Sequence, residues 1–206
     1  MSNFTYEKNE NRDTLETYEW DNTWIDHAND GDTPRVLFIG DSISCGTRKH
    51  ATTAAENRIY FDGLGTSKAL DNPFFFDSIR CFARQQGYRN AILFNNGLHG
   101  WHLSDEEDYP HFYEQAVKRL LEEFPNTPLI LVLTTSIVDE KREARVKKRN
   151  AAVLDIAARY GLPVSDLYSL SVELSKEHTD GVHFNMDAYI TLSKRLLDDV
   201  RKYADL

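Results

Sequence analysis

Three side chains in this sequence have the types and order that a serine nucleophile requires. Ser42 follows Gly40 and Asp41 directly after a short apolar run, and much later in the chain Asp180 and His183 are separated by two residues. A serine hydroxyl is a weak nucleophile until a base removes its proton. An imidazole suits that task because its unperturbed pKa lies near neutrality, and a carboxylate can hold its second ring nitrogen. The three residues therefore predict attack on an acyl group, with Ser42 as nucleophile, His183 as base and Asp180 as its partner.

The apolar run before Ser42 is predicted to be a buried strand. Residues 36–39 are continuously apolar, which is typical of a parallel sheet covered on both faces. Gly40 permits a sharp turn after the strand. Ser42 is therefore expected just beyond the carboxyl end of the strand, where ligands bind in open α/β sheets.

Strand and helix patterns alternate along the rest of the chain. We predict strands over residues 58–61, 91–94, 129–133 and 162–164, and helices over residues 72–86, 104–124, 139–160 and from a cap at Asn185 to about residue 203. Such alternation indicates right-handed βαβ crossovers around a parallel sheet. The predicted fold class is α/β, a three-layer α/β/α, flavodoxin-like domain with a five-stranded parallel sheet.

The start of the chain has a different pattern from this domain. Residues 1–34 are predicted to be an irregular N-terminal arm that packs on the domain of residues 35–206. Trp20 and Trp24 stand four residues apart, a helical spacing, and are predicted to act as a structural clamp. Residues 141–149 are rich in lysine and arginine but lie among glutamates, so we predict a solvated helix face there.

The net charge and the composition of the chain argue against several classes of binding partner. The 206 residues carry a net charge of −9 at pH 7, which argues against nucleic acid and against anionic membrane surfaces. No apolar run approaches the ~20 residues that span a bilayer, and no apolar signal region is present. We therefore expect a cytoplasmic protein. A secreted protein from which a signal peptide has been cleaved would have the same sequence features. The two cysteines fit a reducing compartment. Because the histidines and cysteines lack metal-ligand spacing, no metal or cofactor is predicted.

Hydrolysis of an ester also needs hydrogen-bond donors for the oxyanion that forms in the transition state. The carboxyl ends of the second and third predicted strands are expected to supply them, because these ends meet the Ser42 turn at one edge of the sheet. The residues concerned are 62–67 and 95–100.

The motifs near the two ends of the domain resemble those of the SGNH (GDSL-type) hydrolases, which are serine esterases and acylhydrolases with a flavodoxin-like fold. Gly40-Asp41-Ser42-Ile43-Ser44 is similar to the first conserved block of that family, and Asp180-Gly181-Val182-His183 is similar to its last block, Asp-x-x-His. The resemblance covers residues 35–206. It implies the same nucleophile, base and acid that the residue types indicate.

The middle blocks depart from the family pattern. The family has a glycine after the second strand whose N–H faces the oxyanion, and Gly65 or Gly63 stands at that place. The family also has Gly-x-Asn-Asp after the third strand, where this chain has Gly97-Leu98-His99-Gly100. The resemblance thus implies that His99 donates to the oxyanion in place of the asparagine. Asn96 is a rival donor. Alternatively, His99 is only a histidine of the core.

A competing alignment makes Gly100 the oxyanion glycine. Residues 134–136 would then form the third block, which would contain no asparagine. We prefer the first alignment because it agrees with the order of the strands.

The sequence therefore predicts a serine esterase that hydrolyses a small acyl ester, acetyl above all, of a small molecule or a carbohydrate. The absence of a long apolar lid favours the small acyl group. Two alternatives stay open: a lysophospholipase or thioesterase type of acylhydrolase, and a non-catalytic glycan-binding module on the same fold. A third, structural interpretation makes Ser42 only the cap of a helix.

Overall fold

A computed structural model describes residues 12–206, which form one mixed sheet with helices on both faces. The strands are β1 (Asp21–Trp24), β2 (Arg35–Gly40), β3 (Tyr60–Thr66), β4 (Ala91–Phe94), β5 (Leu129–Val132) and β6 (Val164–Ser165). The helices are α1 (Ser42–Ala54), α2 (Phe75–Gln86), α3 (Asp108–Glu123), α4 (Glu140–Tyr160), α5 (Leu167–Glu173) and α6 (Met186–Ala204). Short 3₁₀ turns occupy Arg12–Thr14 and Ser175–Glu177. No helix within this described part of the chain is long and apolar enough to cross a membrane.

The sheet has the order β1-β3-β2-β4-β5-β6. The five strands from β2 to β6 are parallel, and β1 runs antiparallel to β3 at the edge. The three-layer α/β/α prediction is confirmed, whereas the predicted count of five strands is one short. The parallel part contains five strands as predicted, and the sixth comes from the N-terminal arm.

The core consists of two apolar clusters, one on each face of the sheet. Alternate residues of β2 enter opposite clusters: Leu37 and Ile39 pack with α2 and α3, and Val36 and Phe38 pack with α1 and α6. Because both faces of β2 are covered, its side chains are buried along its whole length. This two-sided burial explains the continuous apolar run that the sequence shows at this strand.

The edge strand β1 was not predicted, and the helical interpretation of Trp20 and Trp24 is wrong. Trp20 precedes β1, and Trp24 is the last residue of this strand. All four β1 residues are exposed, so no alternation of apolar and polar residues marked the strand. Its pairing with β3, from Asp21 opposite Thr66 to Trp24 opposite Gly63, defines it instead. Residues 1–11 of the predicted arm lie outside the described residues.

Caps explain which helix ends could be predicted. Asn185 accepts a hydrogen bond from the Ala188 amide at the start of α6, and Asp139 accepts one from Arg142 at the start of α4. Gly161 ends α4 in the left-handed conformation, with φ of 63°. By contrast, α2 and α3 begin three or four residues later than predicted, and neither has a side-chain cap.

Candidate active site

Ser42 is the first residue of α1, directly after β2 ends at Gly40. Asp41 caps the helix, because its side-chain oxygen Oδ1 accepts a hydrogen bond from the Ile43 amide at 2.9 Å. The Asp41 carboxyl is buried, and this burial raises its pKa. The Ser42 amide lies in the first turn of α1 and so has no intrahelical acceptor. The helix dipole adds a partial positive charge at this end, which favours an anion beside Ser42.

The structure brings together the three residues predicted for nucleophilic chemistry. His183 Nε2 lies 2.8 Å from Ser42 Oγ, although 141 residues separate them in the chain. The other ring nitrogen, Nδ1, lies 2.7 Å from Asp180 Oδ2. The serine, imidazole and carboxylate therefore form one continuous chain of hydrogen bonds. The structural interpretation of Ser42 as a helix cap is wrong, because Asp41 caps the helix.

The loop that carries His183 is fixed by its own hydrogen bonds. Asp180 Oδ1 accepts bonds from the amides of Val182 and His183, at 3.0 and 2.8 Å. The Gly181 carbonyl accepts a bond from the Val138 amide at 2.8 Å. The amide and ring N–H groups of His183 hold the pKa of Asp180 well below its usual value, so this exposed carboxylate stays charged beside the imidazole.

A cleft of about 480 Å³ opens beside Ser42. Nine residues line it: Glu16, Trp20, Ser42, Leu98, His99, Trp101, Arg142, Val182 and His183. Its walls combine two indole rings with aliphatic side chains and three kinds of ionisable group. Such a mixture of apolar area and a few polar groups is typical of small-molecule sites.

His99 lines this cleft and belongs to the segment that follows β4. Arg149 holds this segment in place. Arg149 is fully buried, and its guanidinium donates to the carbonyls of Gly97, His99 and Gly100 at 3.1, 2.7 and 2.8 Å. It also bonds Asp105 at 2.8 Å. The prediction of a solvated face over residues 141–149 is therefore wrong at Arg149, because this side chain turns inward to satisfy backbone carbonyls.

The rival donor Asn96 does not line the cleft. Its side chain is buried, and its amide donates to the Lys68 carbonyl at 2.9 Å. The amide of Gly100 is also engaged, because it donates to Glu16 Oε1 at 2.8 Å. These bonds give both groups a role in fixing the segment after β4.

The two glycines of β3 lie at different depths in the sheet. Gly65 stands opposite Gly40 in the register, whereas Gly63 stands opposite Phe38, two residues further from the carboxyl edge. A Cβ atom on Gly65 would lie 2.3 Å from Cys45 Sγ, so no larger residue fits there. Because β3 and β4 flank β2 on opposite sides, the geometry agrees with the first alignment of the middle blocks.

Two cleft residues from the N-terminal arm were missed by the sequence reasoning as site residues. Glu16 lies 3.6 Å from His99 Nδ1, and the edge of the Trp20 indole faces the same imidazole, with ring centroids 6.0 Å apart. The His99 ring and the Gly100 amide hold the pKa of Glu16 below its usual value, against the opposite effect of partial burial. No sequence motif marked either residue, because the contact depends on how the arm crosses the sheet edge.

This protein is similar to known proteins in its three-dimensional structure and not in its sequence. The sequence matches no protein-family model and no curated protein. A similar solved structure is the C-terminal catalytic domain of Streptococcus pneumoniae peptidoglycan O-acetyltransferase A with a methylsulfonyl adduct, at 17% identity and a TM-score of 0.65, covering 85% of this chain and 97% of that domain. A lipase/acylhydrolase from Enterococcus faecalis, at 15% identity and a TM-score of 0.65, covers 82% of this chain and 96% of its own.

An acetyl xylan esterase is similar to the same degree, at 14% identity and a TM-score of 0.64, covering 81% of this chain and 99% of the esterase. The class defined by the sheet order and by these structural similarities is thus the flavodoxin-like α/β/α fold. More particularly, this chain has the SGNH (GDSL-type) hydrolase fold that its first and last motifs predict.

Proposed function

We propose that this protein is a serine esterase that hydrolyses a small acyl ester, with acetyl on a carbohydrate as the preferred substrate. One observation carries the proposal: Ser42 Oγ, His183 and Asp180 are joined by hydrogen bonds of 2.8 and 2.7 Å at the mouth of a cleft. These are the distances that proton transfer from a hydroxyl to an imidazole requires.

The reaction follows from these contacts. His183 Nε2 removes the proton of Ser42 as Oγ attacks the ester carbonyl, and a tetrahedral oxyanion forms. His183 then gives the proton to the leaving alcohol, which leaves an acyl group on Ser42. A water molecule, deprotonated by the same imidazole, releases the carboxylic acid. Asp180 accepts the Nδ1–H hydrogen bond throughout and stabilises the imidazolium that forms twice in the cycle.

The oxyanion is proposed to bind beside the first turn of α1. The Ser42 amide is available there, and His99 lines the same cleft and supplies a ring N–H. Gly65, at the end of β3 opposite Gly40, is the proposed backbone donor from the neighbouring strand. One such donor is typically worth about 3–4 kcal/mol in the transition state.

The walls of the cleft support a carbohydrate ester. Trp20 and Trp101 both line it, and flat aromatic faces pack well against the C–H faces of sugar rings. The structural neighbours that include an acetyl xylan esterase and a peptidoglycan O-acetyltransferase domain support a short acyl group on a glycan. The lipase/acylhydrolase among these neighbours supports the acylhydrolase alternative.

Turnover of p-nitrophenyl esters of increasing chain length tests the proposal. We expect the highest kcat/KM with the acetyl ester and a steep fall by octanoate; the reverse order would favour the lysophospholipase or thioesterase alternative. Ser42→Ala should abolish turnover while the circular dichroism spectrum stays unchanged, and Ser175→Ala, at an exposed serine, is the matched control.

Labelling separates an enzyme from a glycan-binding module on the same fold. Methanesulfonyl fluoride should sulfonylate Ser42 and leave Ser175 unmodified, as read by peptide mass. An unlabelled Ser42 together with retained glycan binding would show a non-catalytic module and refute the esterase.

A further inference from the structure

The N-terminal arm contributes a carboxylate to the candidate site that no motif marks. We propose that Glu16 is a positioning residue, which holds the His99–Gly100 backbone so that the His99 ring stays where the oxyanion forms. This inference rests on the proposed esterase function. It assigns the arm a part in catalysis, in addition to its part in the sheet.

The contacts of Glu16 converge on this one segment. Its Oε1 atom accepts the Gly100 amide at 2.8 Å and lies 3.6 Å from His99 Nδ1. The first distance is that of a good hydrogen bond, and the second is that of an electrostatic contact. Gly100 has φ of +67°, in the left-handed region that few other residues adopt. The family pattern has an aspartate at the position of Gly100. In this chain, Glu16 places a carboxylate beside that position from another part of the sequence.

Glu16 is held in place by the arm around it. Its own amide donates to Glu19 Oε1 at 3.0 Å, and Glu19 Oε2 accepts the Ser67 hydroxyl at 3.0 Å. The Trp20 amide donates to Ser67 Oγ at 2.8 Å, and the Ser67 amide donates back to the Trp20 carbonyl at 3.1 Å. The arm is thus fastened to the end of β3 immediately before β1 pairs with that strand, which makes Glu16 part of a fixed structure.

The segment is bound from two sides. Arg149 donates to the carbonyls of His99 and Gly100, whereas Glu16 accepts the Gly100 amide. With both the carbonyls and the amide engaged, the peptide plane between His99 and Gly100 has one favoured orientation. Loss of Glu16 would free the amide side of this peptide while leaving the buried arginine contacts intact.

Position matters because an oxyanion donor acts only at about 2.7–3.1 Å from the oxygen it stabilises. A displacement of ~1 Å costs on the order of 100-fold in rate. A looser His99–Gly100 peptide should therefore lower the rate constant of the chemical step and leave substrate binding nearly unchanged.

The first test compares three variants with p-nitrophenyl acetate. Glu16→Ala should lower kcat roughly 10–100-fold, with KM changed less than about twofold. Glu16→Gln keeps an amide oxygen that can accept the Gly100 N–H, so it should recover most of the lost kcat. Tyr18→Ala, at an arm residue that is 81% exposed, is the control and should match the wild type. Wild-type kcat in Glu16→Ala would overturn the proposal.

The second test asks whether Glu16 acts through His99. In a double-mutant cycle, Glu16→Ala should cost little further kcat once His99 is alanine, because the group it positions is gone. Fully additive losses would show that Glu16 acts independently of His99 and would refute the inference.

A third measurement does not depend on activity and separates this inference from the proposed function. The His99 ring signals in a ¹H–¹⁵N spectrum, identified by their loss in His99→Ala, should shift or broaden in Glu16→Ala and stay in place in Tyr18→Ala. Shifted signals in a protein without Ser42-dependent turnover would support the positioning role and refute the esterase. Unmoved signals would refute the positioning role even in an active enzyme.

Discussion

Arg149 offers the most stringent test of the packing behind the site. Arg149→Met removes a guanidinium that is fully buried and that bonds Asp105 and three backbone carbonyls. Breaking a buried ion pair typically costs 3–5 kcal/mol, because the remaining charge and polar groups lose their partner. Asp105 keeps a second partner in Arg145, at 2.5 Å, so we expect the free energy of unfolding to fall by about 3–4 kcal/mol.

Equilibrium unfolding in urea measures this loss. With a slope of roughly 2–3 kcal/mol per molar urea, the midpoint should fall by about 1–2 M. Arg159→Met is the matched control, because Arg159 lies on the same helix and also contacts two carboxylates, from Glu114 and Asp155. Its side chain is 47% exposed, and exposed pairs contribute only about 0–1 kcal/mol. Equal midpoints for the two variants would refute the argument that burial makes the Arg149 contacts strong.

Four further predictions concern the proposed catalytic groups and the rival donor Asn96. His183→Ala should reduce kcat by on the order of 10⁶-fold. Asp180→Asn should reduce kcat by nearer 10⁴-fold, because the acid orients the imidazole and does not itself transfer the proton. Equal losses in the two variants would contradict these roles. The pH profile of the rate should show no ionisation of a carboxyl group at mildly acidic pH, because the hydrogen bonds from His183 and Val182 hold the pKa of Asp180 well below its usual value and keep this group charged. An ionisation between about pH 4 and 6 that Asp180→Asn removes would contradict the assignment. His99→Ala should lower kcat about 10²–10³-fold with KM little changed, and His99→Asn should recover part of the loss. Asn96→Ala, which removes a buried bond to a backbone carbonyl, should instead lower the melting temperature with most of kcat retained, and a large kcat loss there would move the donor role to Asn96.

The parallel sheet could be predicted because local residue types determine it. The grouping of Ser42, His183 and Asp180 could be predicted from two short motifs and from the family resemblance that they carry. A continuous apolar run that ends at a glycine reports burial on two faces, as at β2. The caps at Asn185 and Gly161 mark helix ends by hydrogen bonding and backbone conformation, both of which are local. Such features are carried by a few adjacent residues, so the sequence displays them directly.

The remaining features depend on contacts between distant segments. The strand β3 extends to Thr66, beyond its predicted end at residue 61, through Gly63 and Gly65, which have low intrinsic strand preference. Glycines are needed there because larger residues would collide with Arg48 or Cys45 from α1. Likewise, Glu16 and Arg149 meet the His99–Gly100 segment only after the chain has folded. The role of each is set by its neighbours in space, so residue type and spacing gave no sign of it.

The separation of Ser42 from His183 also bears on how this protein is made. The two residues lie 141 positions apart, so a ribosome adding roughly 5–20 residues per second needs about 7–28 s to pass from one to the other. Throughout that interval β2 and α1 can begin to form, yet the nucleophile has no base. Under the proposed esterase function, we expect a nascent chain to stay inert toward esters until the loop before α6 has been synthesised and has docked. For an enzyme with the proposed activity, the time at which ester hydrolysis first appears during translation would report when the whole domain has folded.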